Sequence, residues 1–279
     1  LKVASVFYEG NIGDKYCNNL FWKDHFKNVK IVKTNYTPKS KDEIIIFGGG
    51  GYFLGSNMKN LLSEFQKLNQ MNIRYGVVGV GDQNLPDIWY HYMAKILKGA
   101  ELVTVRDKYA KINLEKHGLK DVKFIPDLMW NINPKKTKVK LDASCCYIPR
   151  PEKMWHENNL DIPKICNKFD FVHRAKDPDT LWNAHDYNLY ELPNILSQFD
   201  KIICSKYHAA IMCLISNVKL SIVTYGFNKM FDIATEFDLP IWNSNRNFKR
   251  GDRDTIKWYK DNAYLNIKLV EEVFGCKRI

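Results

Sequence analysis

The sequence is missing most of the features that would place it at sight. No apolar run approaches the roughly 18 residues that a membrane-spanning helix requires. Leu1-Lys2-Val3 leads straight into apolar alternation, without the charged flank, apolar stretch and small-residue cleavage site of a signal peptide. It also lacks an initiator Met, which suggests a domain of a longer chain. No zinc-finger, RRM or helix-turn-helix signature occurs. The two basic stretches, Lys135 to Lys140 and Arg246 to Arg253, have no interleaved aromatics of a single-strand binding platform, so nucleic acid is not an expected partner. The seven cysteines contain no C-x-x-C pair, which removes the usual zinc and thioredoxin-like motifs. Acidic residues are in deficit: 31 Asp and Glu face 42 Lys and Arg, a net charge of +11.

What is present is a globular composition, 45% hydrophobic, 26% charged and 13% aromatic, over 279 residues. That length fits two domains of ordinary size. The charge favours an anionic partner, whether nucleic acid, an acidic membrane surface or a phosphorylated small molecule. Cysteines in apolar surroundings, such as Cys204 in Lys201-Ile202-Ile203-Cys204, read as buried free thiols. They predict a reducing, cytoplasmic location, with peripheral membrane association left open.

Strand and helix alternate through the first half. Val3 to Tyr8, Glu43 to Phe47, Arg74 to Val80, Leu102 to Val105 and Val122 to Ile125 have the continuous apolar character of buried strands. Lys15 to Phe26, Met58 to Gln70, Asp87 to Lys98 and Lys108 to His117 have helical spacing. Such alternation means parallel sheets covered by helices. Beyond the linker at Pro134 to Lys140, strands are predicted at Cys145 to Ile148, Phe169 to His173, Lys201 to Cys204 and Leu220 to Thr224, with helices from His208 to Ser216 and Asn228 to Phe237. Arg174 to Asp186 reads as a loop. The expected architecture is α/β, with an N-terminal Rossmann-like domain over 1–134 and a C-terminal one over 141–279, facing each other across a cleft.

Candidate site residues fall at the carboxyl ends of strands, where such sheets bind ligands. Gly48 to Gly51 follow one strand directly, and the backbone at Gly49 and Gly50 is a candidate anion contact or simply a tight turn. The run is neither a P-loop nor a G-x-G-x-x-G fingerprint. Asp14, after Gly10-Asn11-Ile12-Gly13, either caps a helix or serves as base toward an acceptor hydroxyl. Arg106, in Val105-Arg106-Asp107, is a candidate clamp for carboxylate or phosphate, or pairs with Asp107, which also caps the next helix. Ser205-Lys206-Tyr207-His208 joins a strand to a helix, so amide groups, a cation and a proton-exchanging imidazole converge there. Tyr225 and Lys229 occupy the next strand-to-helix junction. Asp177-Pro178-Asp179 has bare D-x-D spacing in an ordinary loop context, and no metal is assigned to it.

In this order, Gly10 to Asp14, Gly48 to Gly51, Tyr75 to Gln83, Val105-Arg106-Asp107, Pro126-Asp127 and Lys206-Tyr207-His208 running on to Tyr225 and Lys229 resemble the polysaccharide pyruvyl transferase family. The resemblance covers most of 1–130 and about 200–240. It implies a GT-B-like pair of Rossmann-like domains and transfer of pyruvate from phosphoenolpyruvate to two sugar hydroxyls as a ketal. No cofactor beyond that donor is implied. By resemblance, Arg106 clamps carboxylate or phosphate, Lys206 contacts phosphate, and His208 is the general acid or stabilises the transition state. The family pattern has arginine where this chain has Lys206, and lysine meets an anion as a point charge without a bidentate fork. A glycosyltransferase using a nucleotide-sugar donor is therefore the alternative, and a non-catalytic binder of glycan or nucleic acid is the second.

Overall fold

A computed structural model of the chain describes residues 2–5, 12–33, 35–49, 58–82, 85–149, 166–170, 180–224, 228–242 and 247–279. The chain divides into two compact units. One gathers Leu1–Tyr8, Asp14–Asn131 and Lys260–Ile279, the other Glu9–Gly13 and Ile132–Tyr259.

The first unit starts with β1 (Lys2–Ser5), then the later half of α1 (Ile12–Lys15), whose Ile12 and Gly13 count with the second unit, a π-helical turn at Tyr16–Leu20 and α2 (Phe21–His25). It continues through β2 (Lys30–Lys33), β3 (Ile44–Gly48), α3 (Met58–Gln70), β4 (Arg74–Val80), α4 (Asp87–Ile96), β5 (Leu102–Val105), α5 (Lys108–Lys116) and β6 (Lys123–Phe124). All six strands are parallel, in the order β2-β1-β3-β4-β5-β6. Helix α3 shows why the helices hold: Met58, Leu61, Phe65 and Leu68 recur on one face and are buried. Phe65 stacks on Tyr75 of β4 and meets Phe47 of β3 edge-on, so helix and sheet share one aromatic core. The edge strand β2 was not predicted. Its two lysines flank only Ile31 and Val32, a composition suited to an edge.

The second unit contains β7 (Cys145–Ile148), β8 (Asn167–Asp170), β9 (Thr180–Asn183), α6 (Leu192–Leu196), β10 (Lys201–Cys204), α7 (Tyr207–Ile215), β11 (Lys219–Ile222) and α8 (Asn228–Glu236). Its sheet is parallel throughout, in the order β11-β10-β7-β8-β9. That is the 3-2-1-4-5 arrangement of a doubly wound sheet, which reverses direction between β7 and β10. The predicted loop over Arg174 to Asp186 is corrected for its described part: Thr180–Asn183 forms the edge strand beside β8, and Ala184–Asp186 a 3₁₀ turn capped by the Asn183 side chain.

Two further helices, α9 (Arg253–Ala263) and α10 (Leu265–Phe274), complete the chain. The sequence reading kept 141–279 together, whereas Lys260–Ile279 packs with the first unit. Asn266 and Ile267 are buried there, and Gly275 ends α10 in the left-handed conformation of a helix C-cap.

The cysteines also depart from expectation. Cys145 and Cys166 form a disulfide, because the β7·β8 register places Cys146 beside Asn167 and so sets their preceding neighbours side by side. Cys17, Cys146, Cys204 and Cys213 are free and buried, as anticipated.

Candidate functional site

In the second unit the direction switch between β7 and β10 is occupied by the predicted Ser205-Lys206-Tyr207-His208 turn. Ser205 is pinned there twice: its amide donates to Ile148 O at 3.1 Å and its hydroxyl to the same oxygen at 2.9 Å. Its side chain is thus a brace between the two central strands. Lys206 is the N-cap residue of α7 and makes no side-chain cap, so the helix amides that follow it are left to other partners. Both Lys206 and His208 are buried, at 8% and 5% exposure. A lysine buried at a helix N-terminus adds its charge to the positive end of the dipole, and together they favour an anion.

His208 is fixed from two sides. Its ring meets Tyr207 edge-on at 5.5 Å. On the other side lies Gly13: a Cβ built there would stand 2.3 Å from His208 Cβ, Cγ and Nδ1. Behind this turn the Cys204 thiol is pushed up to about 12 by burial and donates to Lys206 O at 3.3 Å, which makes it a structural thiol. Lys229 is half-buried in the first turn of α8, after the neighbouring strand β11.

In the first unit the carboxyl ends of β3 to β6 carry a second polar cluster. Arg106 and Asp127 form a buried ion pair through Nη1 and Oδ2, with side chains 3% and 0% exposed. Asp127 Oδ1 accepts from the Met129 amide at 2.8 Å and from the Cys17 thiol at 3.4 Å. Burial first, and then the Asp127 carboxylate, hold the Cys17 thiol well above its ordinary value, so Cys17 is a proton donor here and no thiolate nucleophile. Asp107 caps α5 as expected, its Oδ1 accepting from Ala110 N at 2.6 Å. Its Oδ2 accepts from the Asp82 amide at 2.8 Å, and Asp82 Oδ1 accepts from Leu85 N at 2.8 Å. Burial raises the Asp107 carboxyl above its usual range.

Two expectations change in this cluster. Of the two readings left open for Gly49, the backbone anion contact gives way to the tight turn: its amide donates to Val78 O at 2.8 Å. Its φ is +74°, and a Cβ would fall 2.4 Å from Cys17 Cβ, so glycine is needed for the turn and for the close approach of the π-helical segment. Asp14 lies within the first turn of α1, half-buried, and not at the cap. Its charge contributes to raising the Cys17 thiol. Gly50, Tyr225 and the Asp177-Pro178-Asp179 spacing lie outside the described residues.

Cys17 and Asp82 join this cluster without having been candidates, and Asp127, named only within a motif, proves to be the partner of Arg106. The available signal was Pro126-Asp127 at a strand end, since a buried arginine needs a carboxylate.

Two units, each a parallel sheet flanked by helices with polar side chains at the carboxyl ends of its strands, place the chain in the doubly wound α/β class. Residues 11–226 match the model of the polysaccharide pyruvyl transferase family, and the chain belongs to that family. No curated protein matches it. Among solved structures its fold is similar to that of a functionally uncharacterised protein of Klebsiella pneumoniae subsp. pneumoniae, at a TM-score of 0.51 and 12% identity over 84% of this chain and 87% of that one. A second is the pneumococcal O-GlcNAc transferase GtfA in complex with UDP and GlcNAc, at a TM-score of 0.38 and 11% identity over 84% of this chain and 52% of that one.

Proposed function

We propose that this chain is a glycan-modifying transferase that moves pyruvate from phosphoenolpyruvate onto two hydroxyls of a sugar. Membership of the family supports the transferase class, and the observation that carries the donor assignment is the Lys206–His208 turn at the direction switch of the second unit's sheet. Doubly wound sheets bind ligands at that point.

The reaction needs a proton on the enol methylene, which becomes the methyl group. Positive charge then develops at the substituted carbon. One sugar hydroxyl adds there and loses its proton, the bond from that carbon to the phosphate oxygen breaks so that inorganic phosphate leaves, and a second hydroxyl, losing its proton in turn, closes the ketal. Lys206 and the N-terminus of α7 are assigned the phosphate, whose departure they favour by stabilising its charge. His208 is assigned proton delivery to the methylene. Arg106, oriented by Asp127, is assigned a carboxylate, and Asp14 and Lys229 auxiliary contacts to acceptor and donor.

The test is incubation with phosphoenolpyruvate and a panel of sugar acceptors. Phosphate is expected only when acceptor is present, together with a new ketal methyl signal in the proton NMR spectrum. The second reading, a nucleotide-sugar donor, rests on Lys206 standing where the family pattern has arginine. Thermal stabilisation by nucleoside diphosphates, with phosphoenolpyruvate inert, would put that reading in its place.

A further inference from the structure

We infer that Asn266, on the C-terminal helix α10, is a positioning residue for the Arg106–Asp127 pair, so that the strand-end cluster is completed by a residue outside the stretch that matches the family. The catalytic part of this inference rests on the role proposed above for Arg106; the structural part does not.

The argument begins with the backbone. Pro126 lies two residues beyond the short strand β6, and its carbonyl accepts from Asn266 Nδ2 at 3.1 Å. Asn266 Oδ1 accepts in turn from the Thr104 hydroxyl at 2.8 Å, and Thr104 Oγ1 accepts from the Gly79 amide at 2.8 Å. Gly79 lies where the β4·β5 register shifts, between Val77 and Val80. The chain of bonds therefore runs from an irregularity in β4, through β5 and α10, to the residue before Asp127. Thr104 and Asn266 are 0% and 1% exposed. With water excluded, each bond fixes the orientation of the next group, and an unmade bond leaves a polar atom uncompensated.

The relay borders each member of the ion pair along the chain. Thr104 precedes Arg106 by two positions on the same strand, and Pro126 immediately precedes Asp127. A second tether acts beyond Asp127: Asn131 Nδ2 donates to Leu128 O at 3.2 Å and to Ala263 O at 3.3 Å. The segment bearing Asp127 is thus held on both sides by residues 263–266. Asn266 reaches neither guanidinium nor carboxylate itself. It acts through the backbone that aims them.

The experiment uses the full chain. Side-chain ¹⁵N spectra report the Arg106 guanidinium, assigned by its loss in Arg106→Lys, and acceptor-dependent phosphate release reports turnover. Asn266→Ala is expected to shift or broaden the Arg106 signal as Asp127→Asn does, and to lower kcat at least tenfold. The neighbouring core variant Ile267→Val is expected to leave both unchanged. Thr104→Ser, which keeps the hydroxyl, should retain the wild-type signal, and Thr104→Val should lose it; this pair decides the matter if Asn266→Ala does not fold. An unchanged Arg106 signal in Asn266→Ala or Thr104→Val overturns the inference. If the wild type has no pyruvyl transfer while the Arg106 signal still follows Asn266, the proposed reaction fails and the positioning role stands.

Discussion

Gly13 and His208 are packed so closely that no side chain fits between them: an added Cβ would lie 2.3 Å from three atoms of the histidine. Gly13→Ala must therefore push the imidazole out of its position. Overpacking of this kind costs about 1–3 kcal/mol. The expected outcome is a folded protein whose acceptor-dependent turnover falls at least tenfold, as in His208→Ala. Circular dichroism and phosphate release on the two variants check this, and wild-type rates in both would remove His208 from the reaction.

The ion pair between Arg106 and Asp127 makes a thermodynamic prediction that does not depend on the substrate. Removing one partner strands a buried charge, at a cost of about 3–5 kcal/mol. Asp127→Leu is expected to destabilise by that amount in urea unfolding. Arg106→Leu combined with Asp127→Leu should be less destabilised than the sum of the two single variants, and a double-mutant cycle measures the difference.

The disulfide closes a segment with a sequence separation of 21 residues. Loop closure of that length is worth about 3 kcal/mol in the chain-entropy account. Alkylation in denaturant without reductant should label the five free cysteines and leave a peptide linking Cys145 to Cys166, detectable by mass spectrometry. Cys145→Ala should lower stability by about the loop-closure amount, and only under oxidising conditions.

Glu64 on α3 provides a pH signature. Burial pushes its carboxyl up to about 8, against the opposing pull of Lys67. A carboxyl raised in the folded state favours folding less as pH increases, since the unfolded chain releases its proton first. Wild-type stability should fall relative to Glu64→Gln between about pH 4.5 and pH 8 and fall no further above that, with each unit of separation worth about 1.4 kcal/mol. Urea midpoints of the two proteins at pH 5 and pH 9 test the sign: the advantage of Glu64→Gln must be larger at pH 9.

Where the sequence pattern is local, it was enough. Met58–Gln70, Arg74–Val80 and Leu102–Val105 follow from apolar periodicity and adjoining turns, and their bounds agree with the fold. The placement of Arg106, Lys206 and His208 at strand ends was legible for the same reason, since position at a strand end is itself a local property. The pairing of Asp127 with Arg106 was not, because it depends on β6 lying beside β5 in the finished sheet. At Gly49 two readings were open, and the turn is the one that fits the fold. Its glycine was correctly taken as demanding, but the demand comes from Cys17, a residue brought there by the helix after β1. The disulfide was hidden likewise, since 21 positions of sequence say nothing about strand register.

The return of residues 260–279 to the first unit has a consequence for synthesis. Translation makes every residue of the second unit before α10 exists. Until then Pro126 O and Thr104 lack their partner on Asn266, so the first unit waits, incomplete, while the second is made. Cutting the gene at the Pro134 to Lys140 linker would release a first unit without α10, with the apolar face against which Ile267 and Val270 are buried left open to water.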